Sequence, residues 1–593
     1  MKLVASSFAF LVYIGFCSAQ MNIPILERRI SIEFVDEKLP DVLMRIGREA
    51  KFSFSYNSSI ISNSQMTTQN FSNKPIREIL IIIFKGSIDY KEKSNHLILF
   101  KVNVKPRAAV IPVIISGYIE NSITKERIAN ASVYDKKSVM SVVTDQYGFF
   151  KIKLDKKEKF ASLTVSKRNF RDTLVTITAS GNQFINISVT PIKNYSLMAK
   201  AQTSSDSIKN ELSLPYNNEP NIDNIHDTLY SDIQISLLPF LGSNGALSAN
   251  TINNFSINIF GGYSLGTRKI ELGFFINLDR GDVSFLQFAG IGNLVGRNVY
   301  GLQASGFFNV NGGETKAVQL SGFGNVNFKG FQGVQVAGFG NVNLEAADGV
   351  MVAGFGNLSE APSKGIQIAG FGNLQTDRFI GSQIAGVSNI AAKHISGSQI
   401  SAIFNYGKSV RGTQIGLINI TDTLGGVPIG LVSIVKTGYH KLEVSADEIF
   451  NTNIAFRTGV QKFYNIIFIG IKPENMVNST NVWTFGYGMG SARRISSTLQ
   501  LNIDLTSQHI SKGDFTSQMS QLNKIHLGVD YKLRRKFSVY GGLTLNGYLT
   551  NSSYMDYPDL FSYYQPSVIN DITYGSSTNL KMWLGAKVGL RFF

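Results

Sequence analysis

The chain has 593 residues, with 57 Lys and Arg against 41 Asp and Glu, a formal charge of +16 and one cysteine, Cys17. A single thiol excludes an intrachain disulfide and cysteine-rich metal sites. The positive charge is spread without Lys/Arg blocks, so it does not mark a nucleic-acid partner. Charged residues are only 17% of the chain while Gly numbers 55 and Tyr 23, a composition of the kind found in transmembrane β-barrels.

Residues 1–19 read as a secretory signal. Lys2 supplies the charge, Leu3–Phe16 is mostly apolar, and Cys17-Ser18-Ala19 places cleavage between Ala19 and Gln20. The apolar run falls short of the ~20 residues that a spanning helix needs. The mature chain is then expected to lack cysteine. No later apolar run is long enough to cross a membrane as a helix.

Residues 27–104 alternate between strand and helix patterns. Arg29–Val35 is a strand, and Leu39, Val42, Leu43 and Ile46 fall at helical spacing behind Pro40. Phe52–Tyr56 and Thr67–Ser72 are extended. Ile76, Ile79, Leu80 and Ile83 form one face of a second helix, with Asn73 as cap, Pro75 in its first turn and Gly86 as its stop. A hairpin at 87–101 closes the unit. The stretches IEFVDEKLPDVLMRIGREAKFSFSY and FSNKPIREILIIIFKGSIDYK resemble the STN domain, the short N-terminal domain of secretins and some TonB-dependent receptors. That resemblance implies a periplasmic α/β module that recruits partner proteins, in receptors a regulator.

Residues 111–192 read as short strands, with a turn at Asp145–Gly148 inside SVVTDQYGFFKIKL. Gly117, the pair Ala131 and Val133, and Thr144-Asp145-Gln146-Tyr147-Gly148-Phe149 resemble the carboxypeptidase regulatory-like, transthyretin-like β-sandwich. That family supplies a spacer or binding module and no catalytic residues. Asp145 is read as a turn aspartate, because no carboxylates gather around it to hold calcium. Residues 193–228, polar and without period, read as a linker.

From 229 to 593 the segments read as strands of a large antiparallel transmembrane β-barrel. Leu499, Leu501, Ile503 and Leu505 interleave with polar residues, as do Ile525, Leu527, Val529 and Tyr531. Met582, Leu584, Ala586, Val588, Leu590 and Phe592 alternate to the final Phe593. This ending resembles the C-terminal strand read by barrel-assembly machinery, with Leu590, Phe592 and Phe593 as the signal and Phe593 one residue out of phase.

Within about 270–435 an asparagine recurs every sixteen residues: Asn277, Asn293, Asn309, Asn325, Asn341, Asn357, Asn373, Asn389 and Asn405. Six residues before most of them stands a glutamine, as at Gln303, Gln319, Gln335, Gln367, Gln383 and Gln399, with Met351 the exception. Two architectures fit. Each unit is one membrane strand in an antiparallel meander, or one coil of a parallel β-solenoid with Asn and Phe stacked in ladders. Unbroken strands on both sides, and a spacing that shortens to fourteen from Asn405 to Asn419, favour the meander. That reading predicts an even number of barrel strands, about twenty.

Chemistry is sparse. The six histidines are scattered, and no nucleophile elbow, phosphate loop or metal-ligand spacing occurs. Asp447-Glu448 is the most acidic point of the barrel region, but strand neighbours point to opposite faces. No enzyme activity, cofactor, metal or nucleic-acid partner is expected. The combined resemblance, to STN and carboxypeptidase regulatory-like modules fused to a repeat-bearing barrel of Bacteroidetes type, implies a Gram-negative outer-membrane protein with periplasmic N-terminal domains. It would act as channel, receptor or signal-coupling surface protein. The implied partners are outer-membrane lipid and lipopolysaccharide, the barrel-assembly machinery and a periplasmic regulator. The alternative is a structural or adhesive surface protein with a solenoid and no transport.

Overall fold

The computed structural model describes residues 23–57, 60–61, 65–85, 87–101, 113–154, 160–178, 181–192, 219–472, 481–551 and 566–592. Ala19 and Gln20, most of the linker 193–228, Gly86 and Phe593 lie outside them. The chain is mainly β and divides into two compact units, one N-terminal and one built chiefly from Thr251–Phe593.

In the N-terminal unit, β1 (Arg29–Lys38) leads into α1 (Leu39–Glu49), then β2 (Ser53–Tyr56), β3 (Met66–Pro75), α2 (Ile76–Phe84), β4 (Ile88–Lys93) and β5 (His96–Lys101). β1 pairs antiparallel with β3, and β2, β5 and β4 form a second sheet. The apolar faces of both helices close one core with Phe34, Phe71 and Leu97. The second helix starts later than the Asn73 cap predicts. Asn73 instead has a left-handed φ of 48° inside β3, and Pro75 is the residue before the first helical turn. β6 (Val113–Asn121) and β9 (Phe149–Leu154) pair in one sheet of the sandwich. β7 (Ser132–Asp135), β8 (Met140–Val143), β10 (Phe160–Ser166) and β11 (Thr173–Thr178) make the other. Ile115, Val133, Phe150, Leu163 and Val165 fill the space between them.

The second unit corrects the barrel boundary. Residues 251–435 are not barrel strands but a parallel solenoid, and the closed barrel begins at Tyr439. In the coils up to Gln375 a longer strand such as Phe331–Ala337 is followed by a short one such as Gly340–Asn343, and each pairs in parallel with its counterpart one coil on. Sequence identity explains the outcome. Parallel stacking sets Gln319 beside Gln335 and Asn325 beside Asn341, like against like, whereas antiparallel pairing would set Gln against Asn. Gly338 breaks the unit into two strands, and it must be glycine. A Cβ there would lie 1.9 Å from the carbonyl oxygen of Gly322 in the coil before. The fourteen-residue spacing does not grade into hairpins either; Asn405 and Asn419 remain parallel neighbours.

The barrel has eight strands, not about twenty: Tyr439–Asp447, Thr452–Val460, Phe463–Lys472, Val482–Arg494, Leu499–Lys512, Ser520–Arg534, Phe537–Asn551 and Thr578–Phe592. All neighbours are antiparallel, and pairing of the last strand with the first, Val444 beside Leu590, closes the cylinder. Turns at 461–462, 495–498 and 535–536 are short, and they share one rim with the chain's entry and Phe592. Longer connections, among them 513–519, lie at the opposite rim.

The ladder makes opposite predictions for two single changes. Asn341→Ala strands a buried carbonyl and a neighbouring amide and should lower stability by about 2–4 kcal/mol. Met351→Gln, which restores the ladder residue, should leave stability unchanged or raise it. Denaturant unfolding of the full chain in detergent, with the wild type in parallel, measures both.

Candidate functional site: amide ladders and a filled lumen

The solenoid interior is polar. Asn277, Asn293, Asn309, Asn325, Asn341, Asn357, Asn373, Asn389 and Asn405 are all buried. Each of the first eight donates from Nδ2 to the Oδ1 of the next, at 2.8 Å between Asn325 and Asn341. The second proton of the same amide goes to a main-chain carbonyl beside the glycine corner, as from Asn341 to Val352 O at 2.9 Å. The corner removes that carbonyl from the regular ladder, and the asparagine supplies its partner. This double duty explains why the residue recurs in every coil.

The glutamines form a second column running the other way. Gln319 donates back to Gln303 and Gln335 back to Gln319, each at 2.8 Å, and Gln383 and Gln399 donate back to Gln367 and Gln383. The two columns of amide dipoles therefore oppose one another. Met351 interrupts the second: Asn343 contacts its Sδ, and Gln367 turns to Ser359 instead. At the N-terminal end the column finishes on two buried carboxylates, Glu271 and Asp279, both receiving Gln287 Nε2. The sequence reading did not single these out, although Glu271 stands six residues before Asn277, at the glutamine position of the repeat, and pairs in register with Gln287.

Aliphatic and aromatic side chains cover the outside. Phe307, Phe323, Phe339, Phe355 and Phe371 stack at 4.8 Å along the glycine corner, with their rings exposed. Charge gathers at the opposite edge of each coil, where Lys329 pairs with Glu345 and Lys364 with Asp348.

The barrel repeats this inversion. Ile454, Phe456, Ile467, Ile469, Leu501, Ile503, Leu527, Val529, Val588 and Leu590 face outward and are exposed. Inside, Glu443 contacts Arg457 at 2.6 Å, and Arg591 and Lys587 at 2.7 Å each. Asp504 binds Arg457 at 2.8 Å and Asp530 binds Arg591 at 3.0 Å. Three carboxylates thus face three cations. The Arg591 guanidinium also lies 3.7 Å from the centre of the Tyr540 ring. Asp447 and Glu448 both turn inward, contrary to the opposite-face reading, because the strand ends at Asp447. Asp447 meets Lys524 at 2.6 Å, and Glu448 accepts from Trp583 and Asn546. Toward the rim with longer connections, Ile449, Phe450, Ile510, Leu522 and Trp583 pack together. Buried side chains thus occupy the lumen from the ion network to this apolar cluster, as expected for eight strands.

Of the assembly-signal residues, Leu590 points outward, and Phe592 lies beside Phe537 with ring centres 5.5 Å apart. In the N-terminal unit Asp145 is a turn residue, its Oδ1 accepting the amides of Tyr147 and Phe149. It also joins a clamp between the two modules: Arg77 reaches Glu27 at 2.9 Å and Asp145 at 3.4 Å, and Arg127 reaches Glu27 at 3.5 Å. Burial around this clamp pushes the Tyr90 and Tyr118 phenols up to about 12, with the neighbouring Arg77 and Arg127 partly offsetting it. Among the described residues no group of three His, Cys, Asp or Glu side chains is arranged to hold a metal ion. No protein-family model matches the sequence, and no curated protein matches it.

Removing Glu443 takes one carboxylate from Arg457, Arg591 and Lys587 and leaves the buried cluster with excess positive charge. Glu443→Ala should cost about 3–5 kcal/mol, measured by unfolding in detergent. In the N-terminal unit the folded phenols hold their protons more tightly than unfolded ones, which titrate near ~10. Their contribution to stability is therefore complete below about pH 10 and lost as pH rises toward about 12. Spectrophotometric titration should show a late-ionising tyrosine class that shrinks in Tyr90→Phe and Tyr118→Phe.

Proposed function

We propose that this chain is an outer-membrane β-barrel protein that anchors a solenoid and two periplasmic interaction modules and does not conduct. The observation that carries the reading is the inverted barrel, with aliphatic side chains outward and a neutralised ion network within. In water such a surface would expose a continuous apolar belt, whereas in lipid it is the required one. The rim bearing the short turns corresponds to the periplasmic side of such barrels, and the chain enters there, which supports periplasmic N-terminal modules. The filled lumen favours anchor over channel. On this reading lipid and lipopolysaccharide surround the belt, and the C-terminal signal of Leu590, Phe592 and Phe593 is what the assembly machinery receives. The likeness of residues 27–104 to STN modules and of 111–192 to carboxypeptidase regulatory-like domains supports recruitment of a periplasmic regulator. The reading assigns no catalysis and no cofactor.

Fractionation of expressing cells should place the protein in the outer membrane, and unheated samples should migrate differently from boiled ones in detergent gels. In planar bilayers the reconstituted protein should be silent. Recovery in the soluble periplasm would overturn the membrane assignment, and regular conductance steps would overturn the closed anchor.

A further inference from the structure

The solenoid is as inverted as the barrel, although its coils are not barrel strands. Taken coil by coil, the outward residues of the longer strand are Val318 and Leu320, Val334 and Val336, Ile366 and Ile368, all partly or fully exposed. The phenylalanine column follows at the corner, and Val326, Val342, Leu358 and Leu374 continue the surface on the short strand. Between the last two columns runs an apolar groove of about 510 Å³. Gly324, Gly340, Gly356 and Gly372 are among the residues that line it. The polar groups that would suit water are instead turned inward and paired in the ladders.

We infer that this apolar edge is immersed in the hydrocarbon of one phospholipid leaflet, beside the barrel. The inference rests on the membrane reading of the barrel and adds a second lipid-contacting element to it. Four features support lipid over a protein partner. First, the exposed columns repeat the same aliphatic and aromatic surface for coil after coil, whereas protein interfaces mix apolar cores with hydrogen-bonding groups. Second, parallel pairing satisfies the backbone of the stacked strands and the ladders satisfy the side-chain amides, which is the condition lipid imposes. Third, the depth fits. From Val334 to Ala337, where the strand meets the corner, the chain extends about 10 Å at ~3.3 Å per residue, within the half-thickness of a ~30 Å hydrocarbon core. The ion-paired edge carrying Lys329, Glu345, Asp348 and Lys364 is then left at the headgroups.

Fourth, the apolar edge is continuous with the barrel's outer face. In the last coil the carbonyl of Gly430, at the same corner as the phenylalanines, accepts from the Tyr487 hydroxyl at 2.8 Å. The carbonyl of Ser433 accepts from Thr458 at 2.6 Å. Tyr487 and Thr458 belong to the outward set of their strands, alternating with the inward Gly488 and Arg457. The coil thus seats on the wall that faces lipid. Thr458 and its partner Asn465 flank the short turn at 461–462, so the leaflet is the one on the short-turn side.

The test uses the full chain with Cys17→Ser, carrying a single nitroxide and reconstituted into phosphatidylethanolamine–phosphatidylglycerol vesicles. Labels are placed at Phe339→Cys and Phe371→Cys on the apolar edge, Glu345→Cys on the charged edge and Leu527→Cys on the barrel belt. Heat-modifiable migration verifies each fold, and the two edge positions serve as independent replicates. Accessibility to oxygen, which partitions into lipid, and to a water-soluble nickel chelate is then measured. The expected result is oxygen-dominated relaxation at 339, 371 and 527, with a several-fold greater nickel effect at 345. Lipid exposure at 527 with nickel access at 339 and 371 equal to that at 345 would overturn the inference and leave the barrel reading standing. Protection of 339 and 371 from both reagents would mean that protein, such as a second copy, covers the edge, and would also overturn it. Nickel access at 527 would overturn both readings.

Discussion

A buried primary amide must have partners, and the second unit is organised by that requirement. Each asparagine has two N–H groups and a carbonyl to satisfy. Stacking identical residues at the spacing of parallel strands satisfies one donor and the acceptor along the column, and the glycine corner offers a free carbonyl to the other donor. The corner and the column therefore depend on one another. The glycine permits the close passage that makes the corner, the corner leaves a carbonyl unpaired, and the asparagine pairs it. The glutamine column has no such second duty in every coil, which is why Met351 can stand in it.

The same logic extends to the barrel with charges in place of amides. Taking Glu443, Arg457 and Arg591 out of water is costly unless each is paired more than once, and the network pairs them across five strands. Polar groups placed inside both the solenoid and the barrel free their outer faces to be aliphatic. One interface, the seat of the last coil on Thr458 and Tyr487, joins those two faces. The proposed anchor role and the proposed immersion of the solenoid are two consequences of this inversion.

Much of the fold was legible from local pattern. Helical spacing of Leu39, Val42, Leu43 and Ile46, and the turn at Asp145, depend on neighbours close in sequence, and both lie where the pattern puts them. Alternation along 499–505 and 582–592 correctly separated inward from outward residues, because strand geometry has a period of two. The fate of Asp447 and Glu448 was not legible. The alternation rule applies only while the strand continues, and where it ends is decided by the packing of Ile449 and Phe450 into the lumen. The pairing of Glu443 with residues as distant as Arg591 has no local signature at all.

By itself, the sequence determined that a sixteen-residue unit repeats, that Asn, Gln, Gly and Phe hold fixed places in it, and that the chain ends in alternating strands. It did not determine whether neighbouring units run parallel or antiparallel, since both directions satisfy the same alternation. Only the tertiary structure decided that, in favour of parallel coils and an eight-stranded barrel. The physical reason is register across coils: like amides pair end to end only when identical residues stack, and the glycine carbonyl leaves no room for a side chain at the corner between them.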